Sequence, residues 1–116
     1  MKTTDTILDH HLSAFTQQNL SEIMVDYTDE SIVVTNIGTF GKVSGIERLF
    51  DDLFADLYRD GTTIDVTQRI VKREFAYIVW NAETPENVYE FAANTYYIPE
   101  DTIDFQTVAV NISLDA

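Results

Sequence analysis

Two long runs rich in aromatic and β-branched residues, REFAYIVWNAE at 73–83 and VYEFAANTYYI at 88–98, constrain this chain more than any other feature. The segment Thr84-Pro85-Glu86-Asn87 between them has turn composition, so the pair reads as a long β-hairpin. Side chains alternate along a strand with a period of two. One face then carries Ala76, Ile78, Trp80 and Ala82, and on the return strand Ala92, Asn94, Tyr96 and Ile98. The opposite face carries Phe75, Tyr77 and Val79, with Tyr89, Phe91, Ala93 and Tyr97. Both faces are apolar. A sheet wetted on one side shows polar residues at alternate positions, so this hairpin is expected to be covered twice, once by helices and once by something else.

The rest of the chain supplies the helices first. Between Asp5 and Gln18, Ile7, Leu8, His11, Leu12 and Phe15 recur at three- and four-residue spacing, which is a helical stripe with His11 on it and His10 beside it at the surface. Asn19 is placed to cap a second, shorter helix running to about Tyr27, with Glu22 in the matching capping-box position. Ser31 to Thr35 reads as a strand, Asn36 to Gly41 as its turn, and Lys42-Val43 as a short returning strand. Ser44-Gly45-Ile46-Glu47 is a capping box that opens a third helix. Its apolar face is Ile46, Leu49, Phe50, Leu53, Phe54 and Leu57, its wet face Asp51, Asp52 and Asp56, and Arg59-Asp60-Gly61 ends it. Thr62 to Val71 alternates as a strand. Ile103 to Leu114 forms the last one, with Gln106, Val108, Val110 and Ile112 on one side and Phe105, Thr107 and Ala109 on the other.

Helices ahead of a run of strands imply an α+β domain with the helices on one face of an antiparallel sheet. The uncovered face, bearing Phe75, Tyr77, Phe91 and Tyr97, is a larger apolar patch than monomers usually expose, so a homodimer built sheet against sheet is expected. At 116 residues the chain is read as one domain, 1–116. Twenty acidic residues against seven basic give a formal charge of -13, which repels phosphate backbones and anionic membrane surfaces; neither nucleic acid nor membrane is an expected partner. Cysteine is absent, so no disulfide, thiolate metal site or Cys nucleophile is available. MKTTDTILDHH carries no apolar run of signal-peptide length, and no segment approaches the ~20 apolar residues of a spanning helix, so a cytoplasmic protein is expected.

The blocks DHHLSAFTQQNLSEIMVDYTDESIVVT, FGKVSGIERLFDDLF, AYIVWNAET and FAANTYYIPEDTIDFQTV together resemble the nuclear transport factor 2-like superfamily, and within it the SnoaL-like and ketosteroid-isomerase-like small proteins. The resemblance implies a cystatin-like roll: a cone made by a strongly curved antiparallel sheet wrapped around three N-terminal helices, open at one end into an apolar pocket, and usually dimeric through the convex sheet face. It does not carry a reaction, because the fold hosts isomerases, cyclases, hydratases, dehydratases and proteins without chemistry. Ketosteroid isomerases place a carboxylate base where this chain has Thr35, a tyrosine where it has His11, and a protonated aspartate where it has Asn94. A threonine hydroxyl cannot abstract a carbon-bound proton, and an amide donates a hydrogen bond without exchanging a proton. Ketosteroid isomerisation is therefore not expected.

His11 is the candidate proton-transfer group, since an ordinary imidazole titrates near neutrality. The alternative is a satisfied structural histidine. Trp80, Asn94 and Gln106 fall on the inward register of neighbouring strands and are expected to form with His11 an apolar pocket with a few convergent polar groups. Asn94 and Gln106 then face a ligand, or bond only to each other or to His11. Tyr27 and Tyr96 are expected to present hydroxyls to the cavity or to serve as core aromatics with a wet tip. Thr35, Phe50 and Phe54 complete the predicted lining. No cofactor is expected, and adjacent histidines about 100° apart on a helix cannot share one metal ion. Three functions stay open: an acid/base enzyme acting beside a carbonyl of a small apolar compound (isomerase, cyclase or dehydratase), a binding or interaction module, and a scaffold whose cavity is packed shut by Phe50, Phe54 and Tyr96.

Overall fold

The first helix, α1 (Thr4–Thr16), starts where the Thr3 side chain accepts from the Thr6 amide, and it buries Ile7, Leu8, His11 and Ala14. These four lie on one side of a 3.6-residue repeat, the stripe the sequence carries. The computed structural model describes residues 3–17, 19–57, 63–85 and 87–114, with the backbone alone at 54, 56, 57 and 112–114. The expected helix end at Arg59-Asp60-Gly61 and the expected side-chain roles of Phe54, Asp56, Leu57 and Ile112 lie outside the described residues. In the short helix α2 (Leu20–Met24) Asn19 is the N-cap, accepting from the Glu22 amide. The reciprocal half of that capping box is not made, because the Glu22 carboxylate turns instead to His10 Nε2, 2.9 Å away.

Strand β1 (Ile32–Thr35) pairs antiparallel with β2 (Gly38–Gly41), and α3 (Lys42–Leu57) follows without a break. The returning strand is thus Gly38–Gly41 rather than Lys42-Val43, and α3 begins before the expected Ser44 cap. Lys42 turns the corner in the left-handed region, at φ 64°. The Val43 amide is satisfied from a distance by Asp29 Oδ1, at 3.1 Å. A carboxylate from the preceding loop does the capping that the local sequence offers to Ser44.

The long strands β3 (Thr63–Lys72), β4 (Phe75–Glu83), β5 (Asn87–Tyr97) and β6 (Phe105–Leu114) complete one six-stranded sheet of order β2-β1-β6-β5-β4-β3. Neighbours are antiparallel except β1 and β6, which run parallel with Ile32 opposite Phe105 and Thr35 opposite Val108. The sheet is mixed, where an antiparallel one was expected. No hairpin dictates the direction of that junction, since α3 and four strands separate β1 from β6 in the chain. The α+β cone otherwise follows the expected element order, with three helices in the concavity of a curved, unclosed sheet.

Curvature comes from two bulges. On β3, Val66 pairs with Trp80 and Gln68 with Val79, so Thr67 is an extra residue. On β5, the step from Tyr89 to Ala92 opposes the step from Ala82 to Trp80, so one residue is again in excess. A bulge bends its strand and sharpens the local twist. The second one also resets the register: Glu90 and Phe91 both point outward, while Tyr89 and Ala92 are both buried. The strict alternation that puts Tyr89 on the outer face therefore fails there, and the Tyr89 ring stacks on Trp80 at 5.8 Å.

The outer face keeps its aromatic character. Phe75 stands opposite Tyr97, Tyr97 opposite Phe105, and Phe105 opposite Ile32, and all four are more than a third exposed. No helix among the described residues is long and apolar enough to cross a membrane. At the β1–β6 junction, buried Ser31 donates to the Ile103 carbonyl at 2.6 Å and accepts from the Thr28 amide at 2.9 Å. Ser31→Ala should lower the unfolding free energy by about 1–3 kcal/mol, because a buried carbonyl and a part-buried amide each lose a partner. Urea unfolding with an unchanged slope and an earlier midpoint is the expected readout; a midpoint within error of the parent would show that the junction does not depend on this hydroxyl.

Candidate functional site

The concave face of the sheet and the facing sides of α1 and α3 enclose a cavity of about 470 Å³. His11, Tyr96 and Gln106 line its buried side, and Asn36, Ile37 and Asn111 its exposed one. Most of the wall is aliphatic or aromatic, drawn from every long strand. No aspartate, glutamate, lysine or arginine is among the described lining residues.

Period-two alternation puts Asn94 and Tyr96 of β5 side by side on this face, with Ile78 and Val108 flanking Asn94 and Gln106 directly opposite Tyr96. The polar groups then pair in two short runs. Trp80 Nε1 donates to Asn94 Oδ1 at 3.2 Å, and Asn94 Nδ2 donates to the Tyr96 hydroxyl at 3.0 Å. The Tyr27 hydroxyl donates to Gln106 Oε1. Asn94 and Gln106 thus bond neither to each other nor to His11, which removes the internal pairing that the sequence offers as the alternative to facing a ligand. Burial pushes the Tyr27 phenol well above its ordinary range, aided by the nearby Tyr96 and Asp26. Burial also raises Tyr96, and the Asn94 hydrogen bond offsets part of that rise.

His11 is enclosed edge-on by the rings of Tyr27, Phe50 and Tyr96, with centroids 5.9, 6.1 and 5.3 Å away. Its Nδ1 lies 3.7 Å from Asp26 Oδ2, beyond hydrogen-bond length. Asp26 is itself buried, and both of its oxygens sit 2.9 Å from His10 Nδ1. With Glu22 on its other nitrogen, His10 is bracketed by two carboxylates. Its pKa is raised, first by the hydrogen bond to Glu22 and then by that to Asp26. The sequence reads His10 as a plain surface residue; the fold half-buries it as a bridge from α1 to α2 and the loop beyond.

Solved structures share this arrangement of helices and sheet. An NTF2-like protein of unknown function from Mesorhizobium loti superposes with a TM-score of 0.79 at 14% identity, over 93% of this chain and 90% of its own. A Kribbella flavida protein assigned provisionally as a ketosteroid isomerase gives 0.77 at 8% identity, over 93% and 77%. One from Sinorhizobium meliloti, assigned provisionally as a polyketide cyclase, gives 0.74 at 11%, over 88% and 92%. The chain has the nuclear transport factor 2-like fold. No protein-family model matches it, and no curated protein is significantly similar in sequence. At these identities the likeness is one of fold.

Within this nuclear transport factor 2-like cone, seven of the residues that the sequence offers for a pocket, His11, Thr35, Phe50, Trp80, Asn94, Tyr96 and Gln106, line the cavity. Tyr27 does not. Its hydroxyl is taken by Gln106 and its ring packs behind His11 and against Phe50, so it supports the wall without forming it. The Thr35 hydroxyl is spent on the β1–β2 turn, donating to the Gly38 carbonyl and accepting from the Ile37 amide, both at 3.1 Å. The cavity is not packed shut by Phe50 and Tyr96. Asp26 escaped sequence reading because it follows α2 in a loop, where no periodicity marks which side chains turn inward; the one signal is a lone acid inside the otherwise apolar MVDY.

The two buried phenols give a direct check. Unfolded tyrosines ionise near pH 10, and the raised folded-state values mean that the unfolded chain loses these protons first. Their contribution to stability is complete below that pH and drains away as pH rises through the folded-state values. In an ultraviolet titration of the six tyrosines, at least two, Tyr27 and Tyr96, should stay protonated until the chain unfolds in alkali. Six ordinary titrations in the folded protein would contradict the buried positions of Tyr27 and Tyr96.

Proposed function

We propose that this protein binds an uncharged, mainly apolar small molecule in the cone and performs acid/base chemistry beside a carbonyl of that compound, with His11 moving the proton. Isomerisation, cyclisation and dehydration are the reactions of this type. The observation that carries the reading is a buried imidazole on the wall of a 470 Å³ apolar cavity, with a second ionisable side chain, Asp26, 3.7 Å behind it. That volume lies within the range of small-molecule sites, and a lining without charged groups favours a neutral occupant. The provisional isomerase and cyclase assignments of the Kribbella flavida and Sinorhizobium meliloti proteins agree with this reading.

Binding without catalysis is the second reading. It is favoured by the internal pairing of Asn94, Tyr27 and Gln106, which leaves few donors aimed at a developing oxyanion. We also propose that two copies associate through the outer row of Phe75, Tyr97, Phe105 and Ile32. The row crosses four neighbouring strands, so a two-fold axis normal to it, in the plane of the face, lays Phe75 on the partner copy's Ile32 end and Tyr97 on its Phe105 position, apolar on apolar. Association at micromolar concentration in sedimentation velocity, abolished by Phe75→Glu with Phe105→Glu, is expected; a monomeric parent protein would overturn the dimer.

Trp80 is the single tryptophan and lines the cavity, so its emission reports occupancy. Titration with neutral aromatic ketones should change that emission saturably, whereas the matching carboxylic acids, ionised at neutral pH, should bind at least about tenfold more weakly because the wall offers no cation to offset their desolvation. Leu53→Phe, which narrows the cavity without adding a second tryptophan, should weaken ketone binding. Equal affinity for ketones and carboxylates would refute the neutral-ligand assignment.

A further inference from the structure

His11 Nδ1 is the one buried side-chain nitrogen or oxygen among the described residues without a hydrogen-bond partner. Such an atom normally finds one. The nearest candidate is Asp26 Oδ2 at 3.7 Å, so a movement of well under 1 Å closes the contact. Catalytic hydrogen bonds are commonly long in unliganded sites and tighten when the site is filled.

We propose that Asp26 is the positioning residue for His11: its carboxylate fixes the proton of neutral His11 on Nδ1 and leaves Nε2 as the basic atom available to the cavity, while His10 and Glu22 hold Asp26 in place. This assignment deepens the acid/base role proposed above and rests on it for its catalytic meaning. An ionised carboxylate only accepts, so a proton on Nδ1 is attracted and a lone pair there is repelled. Of the rings that enclose His11, those of Tyr27 and Tyr96 carry hydroxyls, one donating to Gln106 and the other accepting from Asn94. Neither takes up Nδ1.

Asp26 in turn needs support, because an ionised carboxylate that is nearly inaccessible requires a partner. Side-chain exposure rises along the row, from 3% at His11 and 4% at Asp26 to 39% at His10 and 52% at Glu22. The buried negative charge is thus balanced by an imidazole that reaches solvent and is itself held by a second carboxylate. In the reaction, Nε2 takes a proton from the carbon next to the ligand carbonyl. The C–H bond breaks, the N–H bond forms, and the electron pair moves to the carbonyl oxygen as an enolate. The imidazolium that results faces the Asp26 carboxylate, and it returns the proton to the ligand in the second half of the turnover.

The test needs no ligand, so its failure is separable from failure of the proposed function. Long-range proton–nitrogen NMR correlations of the His11 ring, recorded above its titration range, distinguish the two neutral tautomers. The parent protein should show the Nδ1–H form. Asp26→Leu should move most of the population to Nε2–H, the form an unconstrained imidazole prefers, with backbone amide shifts elsewhere unchanged. An Nε2–H tautomer in the parent protein would overturn the assignment by itself, whether or not the variant folds. An Nδ1–H population that survives Asp26→Leu would overturn it as well, by showing that some other group fixes the ring.

Discussion

Strands that are apolar on both faces cannot lie flat over a single layer of three helices, and the bulges on β3 and β5 are where this chain resolves the conflict. An extra residue in each strand bends the sheet, so one face becomes the inner wall of a cone and the other an outer surface. Every property of the site depends on that bend. It brings Tyr89 inward against Trp80 and sends Glu90 and Phe91 outward together. It also leaves a space between sheet and helices that the side chains of α1 and α3 do not fill.

The cavity wall keeps its polar groups in pairs and its charges at a distance. Trp80, Asn94 and Tyr96 form one run, Tyr27 and Gln106 another, and each is satisfied within the protein before any ligand arrives. His11 is the exception, held by aromatic edges on three sides with one nitrogen unmatched. None of the described acidic residues lines the cavity, and Asp26 stands behind His11 rather than in the wall. Such a wall suits the neutral ligand and the single reactive ring proposed for it.

What the sequence discloses is what periodicity governs. The helical stripe of α1 places His11 on the buried side, and period-two alternation brings Asn94, Tyr96 and Gln106 to one face. Alternation fails at Tyr89, because a one-residue bulge flips every side chain before it and leaves no mark in composition. The parallel β1–β6 junction is equally hidden, because it joins elements far apart in the chain and no connecting turn fixes its direction. Caps show the same divide: Asn19 caps α2 from its own turn, whereas α3 is capped by Asp29 across a loop, in place of the locally plausible Ser44. Asp26 and the His10 bridge belong to this second group, since they depend on where a loop lands.

Deuterium incorporation tests the central claim most directly, that His11 exchanges a proton with a carbon beside a carbonyl bound in the cone. A neutral aromatic ketone that changes Trp80 emission would be incubated with the protein in heavy water, and its mass followed with time. The account predicts exchange at the carbon next to the carbonyl well above the buffer rate, lost in His11→Ala although the ketone still binds. Exchange at the buffer rate with the parent protein, under conditions where Trp80 reports saturation, would contradict it and leave a protein that binds without reacting.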